Sequence, residues 1–330
     1  MKNVLTFSDF CLDLQDDDGR SYNLLDHISF SVKDGRALGV VGESGCGKSM
    51  TSLAAMRLLP PAARIAGGRI LLGDTDITAK SEKEMYAIRG KEMAMIFQEP
   101  MTSLNPVLTI GFQIEEMLRR HESNLSKEEM RARVIDLLNK VGIPNPEKRL
   151  NSYPHQFSGG MRQRTMIAIA IACHPQLLIA DEPTTALDVT IQAQVLDLMV
   201  NLKKGGSMML ITHNLGVVAE VCEDVVVMYA GQIIESGPVK EVFLHPAHPY
   251  TQGLLRAIPQ LDTRSKTLES IPGVVPSVQN FPKGCRYAPR CPHARPECRQ
   301  ERPLARHIGA DHEVACHLIE EERKPCRETT

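Results

Sequence analysis

The chain has 330 residues, 42% of them hydrophobic, with 38 basic against 40 acidic side chains and a formal charge of −2. That length suits one large domain with an appendage, or two domains, and the near-neutral balance argues against a surface for nucleic acid or anionic membrane. No run of eighteen apolar residues occurs, which excludes a spanning helix, and the opening "MKNVLTFSDFCLDLQDDDG" lacks the basic and apolar regions of a secretory leader. Nine cysteines, most of them scattered, point to a soluble protein in a reducing compartment, where close thiols favour metal over disulfides.

In chain order, "ALGVVG" (37–42) predicts a short buried strand and "KSMTSLAAMRLL" (48–59) a helix, with a loop between them. "PQLLIAD" (175–181) predicts a second buried strand, and "VTIQAQVLDLMVNL" (189–202) an amphipathic helix after the capping candidate Asp188. "SMMLIT" (207–212) is another strand and "NLGVVAEVC" (214–222) another helix, while "DVVVMYAG" and "QIIESG" form a closing hairpin around Gly231. Strands alternating with helices imply an α/β fold whose mostly parallel sheet is covered on both faces.

The middle differs. From about Met101 to Pro154, "IGFQIEEMLRR" and "SKEEMRARVIDLLNKVG" are helical in period with no convincing strand between them, which predicts a helical subdomain inserted in the α/β core. After "HPAHPYTQGLLRAIP" (245–259) the chain turns rich in proline, arginine and cysteine with little periodicity, so a small irregular terminal module begins there.

"GESGCGKS" (42–49) fits G-x-x-x-x-G-K-[ST] and lies between a predicted strand and a predicted helix, where a phosphate-binding loop must lie. Gly42, Gly45 and Gly47 let the backbone curl so that successive N–H groups point inward at phosphate oxygens, among Glu43, Ser44 and Met50 as the other loop-lining positions. The helix adds the positive end of its dipole. Lys48 is placed to reach the β- and γ-phosphates of ATP, and the Ser49 hydroxyl to ligate Mg²⁺. A helix N-terminus would lower the pKa of the Cys46 thiol if it faced the site, but its side chain is expected to point outward.

"LLIADEP" (177–183) delivers two carboxylates at the end of a buried strand. Asp181 is suited to the Mg²⁺ shell and Glu182 to polarising an attacking water. Such a pair alone is commonly a solvated turn; its place some 130 residues after a phosphate loop gives it weight.

Four further segments resemble those of ATP-binding-cassette (ABC) ATPases: "MIFQEP" (95–100) their Q-loop, "YPHQFSGGMRQR" (153–164) their signature, "TTALD" (184–188) their D-loop and "ITHNL" (211–215) their switch histidine. With the phosphate loop these cover about residues 1–255. "QEPMTSLNP", "LLIADEPTTALDVTIQAQ", "MYAGQIIESG" and "HPAHPYT" are similar to the peptide/nickel importer branch, in particular to dipeptide and oligopeptide importer ATPases of bacteria and archaea. The resemblance implies a P-loop NTPase core over 1–97 and 160–255, a helical and signature subdomain over 98–159, and a C-terminal extension over 256–330. In this family two cassettes sandwich two ATP molecules head to tail, so Ser158, Gly159, Gly160 and Met161 would meet the partner's ATP. Gln98 would sense the γ-phosphate and the Mg²⁺ held by Ser49 and Asp181. Glu182 and His213 would be catalytic, and Asp188 would cross the dimer interface.

Two departures from the family pattern stand out. The signature usually begins with leucine and ends with glutamine, where this chain has Phe157 and Met161. The serine and glycines that contact phosphate are intact, so an active signature is expected. The adenine-stacking aromatic is Tyr22, or Phe7, or absent. The implied partners are a second ABC ATPase chain, a paralogue in a heterodimer, with two multi-spanning permease subunits and an extracytoplasmic substrate-binding protein, and no nucleic acid. The place of work is then the cytoplasmic face of the cell membrane, as a peripheral subunit. Cassettes of DNA-repair factors carry long coiled-coil insertions and those of translation factors two cassettes per chain, and neither is seen here. Nickel or defence-peptide uptake remains open within the branch, as does a soluble redox-sensing ATPase outside it.

Cys285, Cys291 and Cys298 are spaced C-x5-C-x6-C, and Cys316 follows after seventeen more residues. Zinc ribbons prefer C-x2-C pairs, so the four thiolates suit an iron–sulfur cluster or an unusual zinc site, the latter with His293, His312 or His317 as substitute ligands. "IPGVVPSVQNFPKGCRYAPRCPHARPEC" (271–298) resembles the C-terminal extension of peptide-importer ATPases, which with all four cysteines can hold a [4Fe–4S] cluster; unliganded thiols are the remaining alternative. Cys326 is expected to be unliganded, and Cys11, Cys173 and Cys222 to be small core residues.

Overall fold

The computed structural model describes residues 2–99, 103–184, 189–203, 206–257 and 270–319. Its strands are β1 (Asn3–Gln15), β2 (Ser21–Lys33), β3 (Ala37–Val41), β4 (Ala63–Leu72), β5 (Thr75–Asp76), β6 (Met93–Ile96), β7 (Leu177–Asp181), β8 (Ser207–Ile211), β9 (Asp224–Tyr229), β10 (Gln232–Pro238), β11 (Arg306–His307) and β12 (Glu313–Val314). β3, β6, β7 and β8 are buried at every position, as apolar runs without alternation require when both faces of a parallel sheet are covered. They pair in parallel in the order β9-β3-β8-β7-β6. The register sets Val40 and Asp181 beside Ile211, and Ile96 beside Ala180, so the carboxyl ends of four strands come level at one rim. In open α/β sheets that rim is where ligands bind.

β9 and β10 close as an antiparallel hairpin with Tyr229 opposite Gln232. Both turn residues, Ala230 (φ 46°) and Gly231 (φ 80°), are left-handed, the geometry a two-residue hairpin turn needs.

β2-β1-β4-β5 form a separate antiparallel sheet that periodicity does not reveal. Bulges interrupt the β1–β2 register, and Asp9 (φ 50°) and His27 (φ 48°) break the alternation that would mark two long strands. Phe7 lies in this sheet's core, stacked on Phe30 at 4.7 Å and 1% exposed, which removes it as a base-stacking candidate.

Among the described residues no strand lies between Ile96 and Leu177, as the helical period predicts. Thr109 caps the helix Ile110–His121, which ends on Arg119, Arg120 and His121 at its negative pole. Ser126 and Glu129 form a reciprocal capping box at the start of Lys127–Lys140. Ile110, Ile114 and Leu118 of the first helix and Met130, Val134 and Leu137 of the second enter one core cluster with the sheet.

The described part of the C-terminal segment, 270–319, has little regular structure and joins the central sheet. β12 pairs antiparallel with β10, setting Val314 opposite Glu235, and β11 follows it, so the tail extends the edge of the central sheet. His312 lies with Nε2 2.8 Å from Glu235 Oε1, both side chains buried. Tyr287 packs edge-on against Tyr229 and Tyr250, with ring centroids 5.1 and 5.4 Å away.

Candidate active site

The candidate phosphate loop, 42–49, runs from the end of β3 into the helix Lys48–Ala55. A Cβ on Gly42 would collide with the carbonyl oxygen of Met228, and one on Gly47 (φ 101°) would stand 2.7 Å from Leu25 Cδ2. Gly42 therefore needs glycine for space, and Gly47 for its left-handed backbone angle. Ser44 and Gly45 are exposed at the tip, whereas Ser49 and Met50 are half-buried. Lys48 is 5% exposed, and its Nζ donates to the carbonyls of Gly42 and Glu43 at 2.8 and 2.9 Å.

Cys46 does not point outward. It is fully buried beneath the loop, where burial raises its thiol pKa against the opposing pull of Lys48. The loop is too tightly curled for every side chain to reach solvent, and the thiol fills the space beside Gly42.

Asp181 ends β7, 3% exposed. Ser49 Oγ donates to its Oδ1 at 3.2 Å, and Ser52 Oγ shares its one proton between Oδ2 at 3.2 Å and the Ser49 carbonyl at 2.7 Å. Burial raises its pKa, partly offset by those two hydroxyls, a balance that a cation would tip toward the carboxylate. Ser52 was not singled out in the sequence; its signal was the i, i+3 spacing from Ser49, which puts both hydroxyls on one helix face.

Glu182 is left-handed at φ 45°, a conformation that costs a non-glycine residue about 1–3 kcal/mol and is found at functional sites. Its N–H donates to the Ile211 carbonyl at 2.8 Å, which aims the side chain over the rim. Gln98 Nε2 donates to Glu182 Oε2 at 3.2 Å, and His213 Nδ1 lies 3.4 Å from Oε1. Gln98 follows β6, Glu182 follows β7 and His213 follows β8, so three separate motifs meet on one carboxylate.

Ser158 caps the helix Gly159–Ile171, its Oγ accepting from the Met161 N–H at 3.3 Å. Ser158 and Gly159 are exposed, and Gly160 and Met161 half-buried over a fully covered Phe157. Buried Gln163, one turn on, donates to the Pro183 carbonyl at 2.7 Å and so ties the signature helix to the carboxylate strand. Tyr22 lies half-buried on β2, in the sheet whose Leu25 touches the phosphate loop. Asp188 and Cys326 fall outside the described residues.

In the tail, Cys298 and Cys316 are buried, and Cys285 and Cys291 half-buried. The Cys285 N–H donates to the Cys298 carbonyl at 2.8 Å. Burial pushes the Cys285 thiol up to about 11, with Cys298 and Cys316 adding like charge, and raises Cys316 too, with Cys291 and Cys298 adding to it. Among the described residues the one group of three ligand atoms within 4.8 Å of each other is Cys11, Asp26 and His27. There Asp26 already faces the guanidiniums of Arg286 (3.4 Å) and Arg302 (3.1 Å), which oppose a cation. The tail histidines have other places: His312 is held by Glu235, His317 lies 3.0 Å from the Glu301 carbonyl, and His293 is exposed.

Residues 25–185 match the family model described as ABC transporter, and residues 234–298 the one described as oligopeptide/dipeptide transporter, C-terminal region. The chain is 50% identical over 303 residues to the dipeptide transport ATP-binding protein DppD of Escherichia coli, spanning 91% of this chain and 92% of that one. It is 52% identical to the oligopeptide transport ATP-binding protein AppD of Bacillus subtilis, over 90% and 92% of the two chains. Among solved structures, the ABC transporter component cbiO1 from Clostridium perfringens superposes with a TM-score of 0.62 at 27% identity, over 74% of this chain and 92% of that one. No helix among the described residues is long and apolar enough to cross a membrane. The chain belongs to the ABC transporter family, as an ATP-binding and ATP-hydrolysing subunit of its dipeptide/oligopeptide branch.

Proposed function

We propose that this chain powers the uptake of di- or oligopeptides, coupling ATP hydrolysis at the β3–β6–β7–β8 rim to a separate membrane permease. The observation that carries the catalytic reading is the meeting of Gln98 and His213 on Glu182, beside Asp181 and its serine donors. The peptide cargo rests on the relatives' names and on the match of the C-terminal region.

In this reading Lys48 turns from the Gly42 and Glu43 carbonyls to the β- and γ-phosphates, while loop N–H groups between Ser44 and Met50 cradle the remaining oxygens. Ser49, Asp181 and Gln98 are the residues that would hold Mg²⁺, whose chemistry is to neutralise charge developing on the phosphates. Glu182 accepts the proton of the attacking water, and His213 keeps that carboxylate and the γ-phosphate in line. Ser158, Gly159, Gly160 and Met161 offer a capped helix start to the ATP of a second cassette, with Asp188 at the same interface. Tyr22 is the candidate for adenine stacking.

The divisions that follow are a core of 1–97 and 160–255, a permease-facing subdomain of 98–159, and an extension of 256–330. The assembly is a pair of paralogous ATPase chains under two permease subunits at the cytoplasmic face of the membrane, served by an external binding protein.

Cys285, Cys291, Cys298 and Cys316 are proposed as ligands of a [4Fe–4S] cluster, with zinc as the alternative. Tetrahedral zinc with Zn–S bonds of about 2.3 Å needs sulfurs about 3.8 Å apart. No three of these thiols lie within 4.8 Å of one another, so their placement does not match that zinc geometry. Such a group would crosslink loops that bury little core of their own.

The test is to isolate the chain from membranes with its partners and measure ATP turnover with and without peptide-loaded binding protein. Co-purification with two multi-spanning subunits and peptide-stimulated turnover support the reading; a chain that binds no permease overturns it.

A further inference from the structure

The cysteine-bearing tail reaches the phosphate loop directly. Arg290 closes a fork on Glu43, the second residue of the loop: Nη1 donates to Oε2 at 2.6 Å and Nη2 to Oε1 at 3.0 Å. The arginine side chain is 5% exposed and the glutamate 31%. The rest of the guanidinium is also engaged, Nε donating to the Pro272 carbonyl at 2.8 Å and Nη1 reaching the Tyr229 hydroxyl at 3.4 Å. A fork with so many fixed partners holds its carboxylate in one place.

Glu43 is held on two more sides. Its N–H donates to the Tyr250 hydroxyl at 2.8 Å, and its carbonyl accepts from Lys48 Nζ at 2.9 Å. Tyr250 packs on Tyr229 and Tyr287, and the turn from Tyr287 to Cys291 is closed by N–H groups of Arg290 and Cys291 donating to the Tyr287 carbonyl. That turn therefore seats Tyr287 against the Tyr250 ring whose hydroxyl meets the loop and sets an arginine on the loop itself, and Cys285 and Cys291 bracket it.

We infer that Arg290 is a positioning residue for nucleotide binding, acting through Glu43 and coupling the fold of the tail to the phosphate loop. A bare carboxylate at the second loop position would repel the polyphosphate of ATP; Arg290 cancels that charge and draws the carboxylate to the tail side of the loop. The inference rests on reading 42–49 as the phosphate loop. It makes ATP affinity sensitive to anything that unseats the Cys285–Cys291 turn.

The experiment is equilibrium binding of a fluorescent ATP analogue and steady-state ATPase kinetics on the full chain, for Arg290→Ala, Arg290→Lys, Glu43→Gln and the double variant Glu43→Gln/Arg290→Ala. Arg290→Ala should weaken binding roughly tenfold, because it leaves an unpaired, partly buried charge beside the ligand, and should raise KM with kcat within about threefold. Arg290→Lys should be intermediate, since an ammonium cannot bridge both oxygens. The double variant should recover most of the lost affinity, a rescue that a merely packing role would not give.

Arg302→Ala, which breaks a different tail-to-core pair, to Asp26 and not to Glu43, should leave ATP affinity within about twofold. Unchanged affinity in Arg290→Ala, no rescue in the double variant, or equal weakening by Arg302→Ala would each overturn the coupling. A wild-type chain that bound no ATP would instead overturn the phosphate-loop reading beneath it. If Arg290→Ala fails to fold, the Arg290→Lys and Glu43→Gln pair carries the same comparison.

Discussion

His213 stands with Nδ1 3.4 Å from Glu182 Oε1 because the two residues follow neighbouring parallel strands whose register sets Asp181 beside Ile211. The imidazole is largely exposed, while the carboxylate is 15% exposed. A shielded base with an accessible orienting partner is suited to activating a water at the rim. Glu182→Gln keeps the size and the Gln98 contact but removes the basic oxygen. Its ATP affinity should stay within about threefold of wild type while kcat falls by ~10²-fold or more. Single-turnover hydrolysis beside nucleotide binding checks this, and unchanged turnover would mean that another group is the base.

Ser52 concerns the metal. Its hydroxyl is one of the two holding Asp181, and it is fully buried, so Ser52→Ala leaves a buried carboxylate oxygen short of one donor. The loss of such a bond costs about 1–3 kcal/mol where the group stays desolvated. The Mg²⁺ concentration for half-maximal ATPase should rise several-fold at saturating ATP, with a smaller change in kcat. A Mg²⁺ titration that superposes on wild type would show Ser49 to be sufficient.

His248 sets an acid limit on stability. It is 1% exposed, its Nδ1 accepts the Tyr250 N–H at 3.0 Å, and burial pushes its pKa down from 6.5 to about 3. Below pH 6.5 the unfolded chain takes up a proton that the folded chain refuses. Stability is therefore full above that pH and is lost as pH falls toward 3, by up to ~1.4 kcal/mol per unit. His248→Asn keeps an acceptor without the titration. Its melting temperature should fall less steeply than wild type between about pH 6.5 and 5; parallel slopes would assign the acid limit to other groups.

The tail thiols give a compositional test. Anaerobically purified chain should be brown, absorb broadly at about 400 nm and contain about four irons, and Cys298→Ser should lose the colour. One zinc per chain without iron would sink the cluster reading.

Much of this protein is determined locally. The glycine-rich loop between β3 and its helix is legible because G-x-x-x-x-G-K-[ST] admits few residue types in a fixed order, and the buried strands because parallel strands covered on both faces must be apolar throughout. The helical region is legible from its period and the resemblance from its motif order. What the chain does locally does not say what lies across from it. The antiparallel sheet stayed hidden because bulges at Asp9 and His27 spoil its alternation. Cys46 lies inward because the curl of the whole loop decides which side is solvent. Gln98, Glu182 and His213 stand far apart in sequence, and only strand order and register bring them together. The tail carries the plainest case. Its composition marks an irregular, cysteine-bearing segment, yet the pairing of Arg290 with Glu43 joins residues 247 positions apart. Charge complementarity over such a separation has no local signature, so the tertiary structure alone decides that this tail rests on the nucleotide loop.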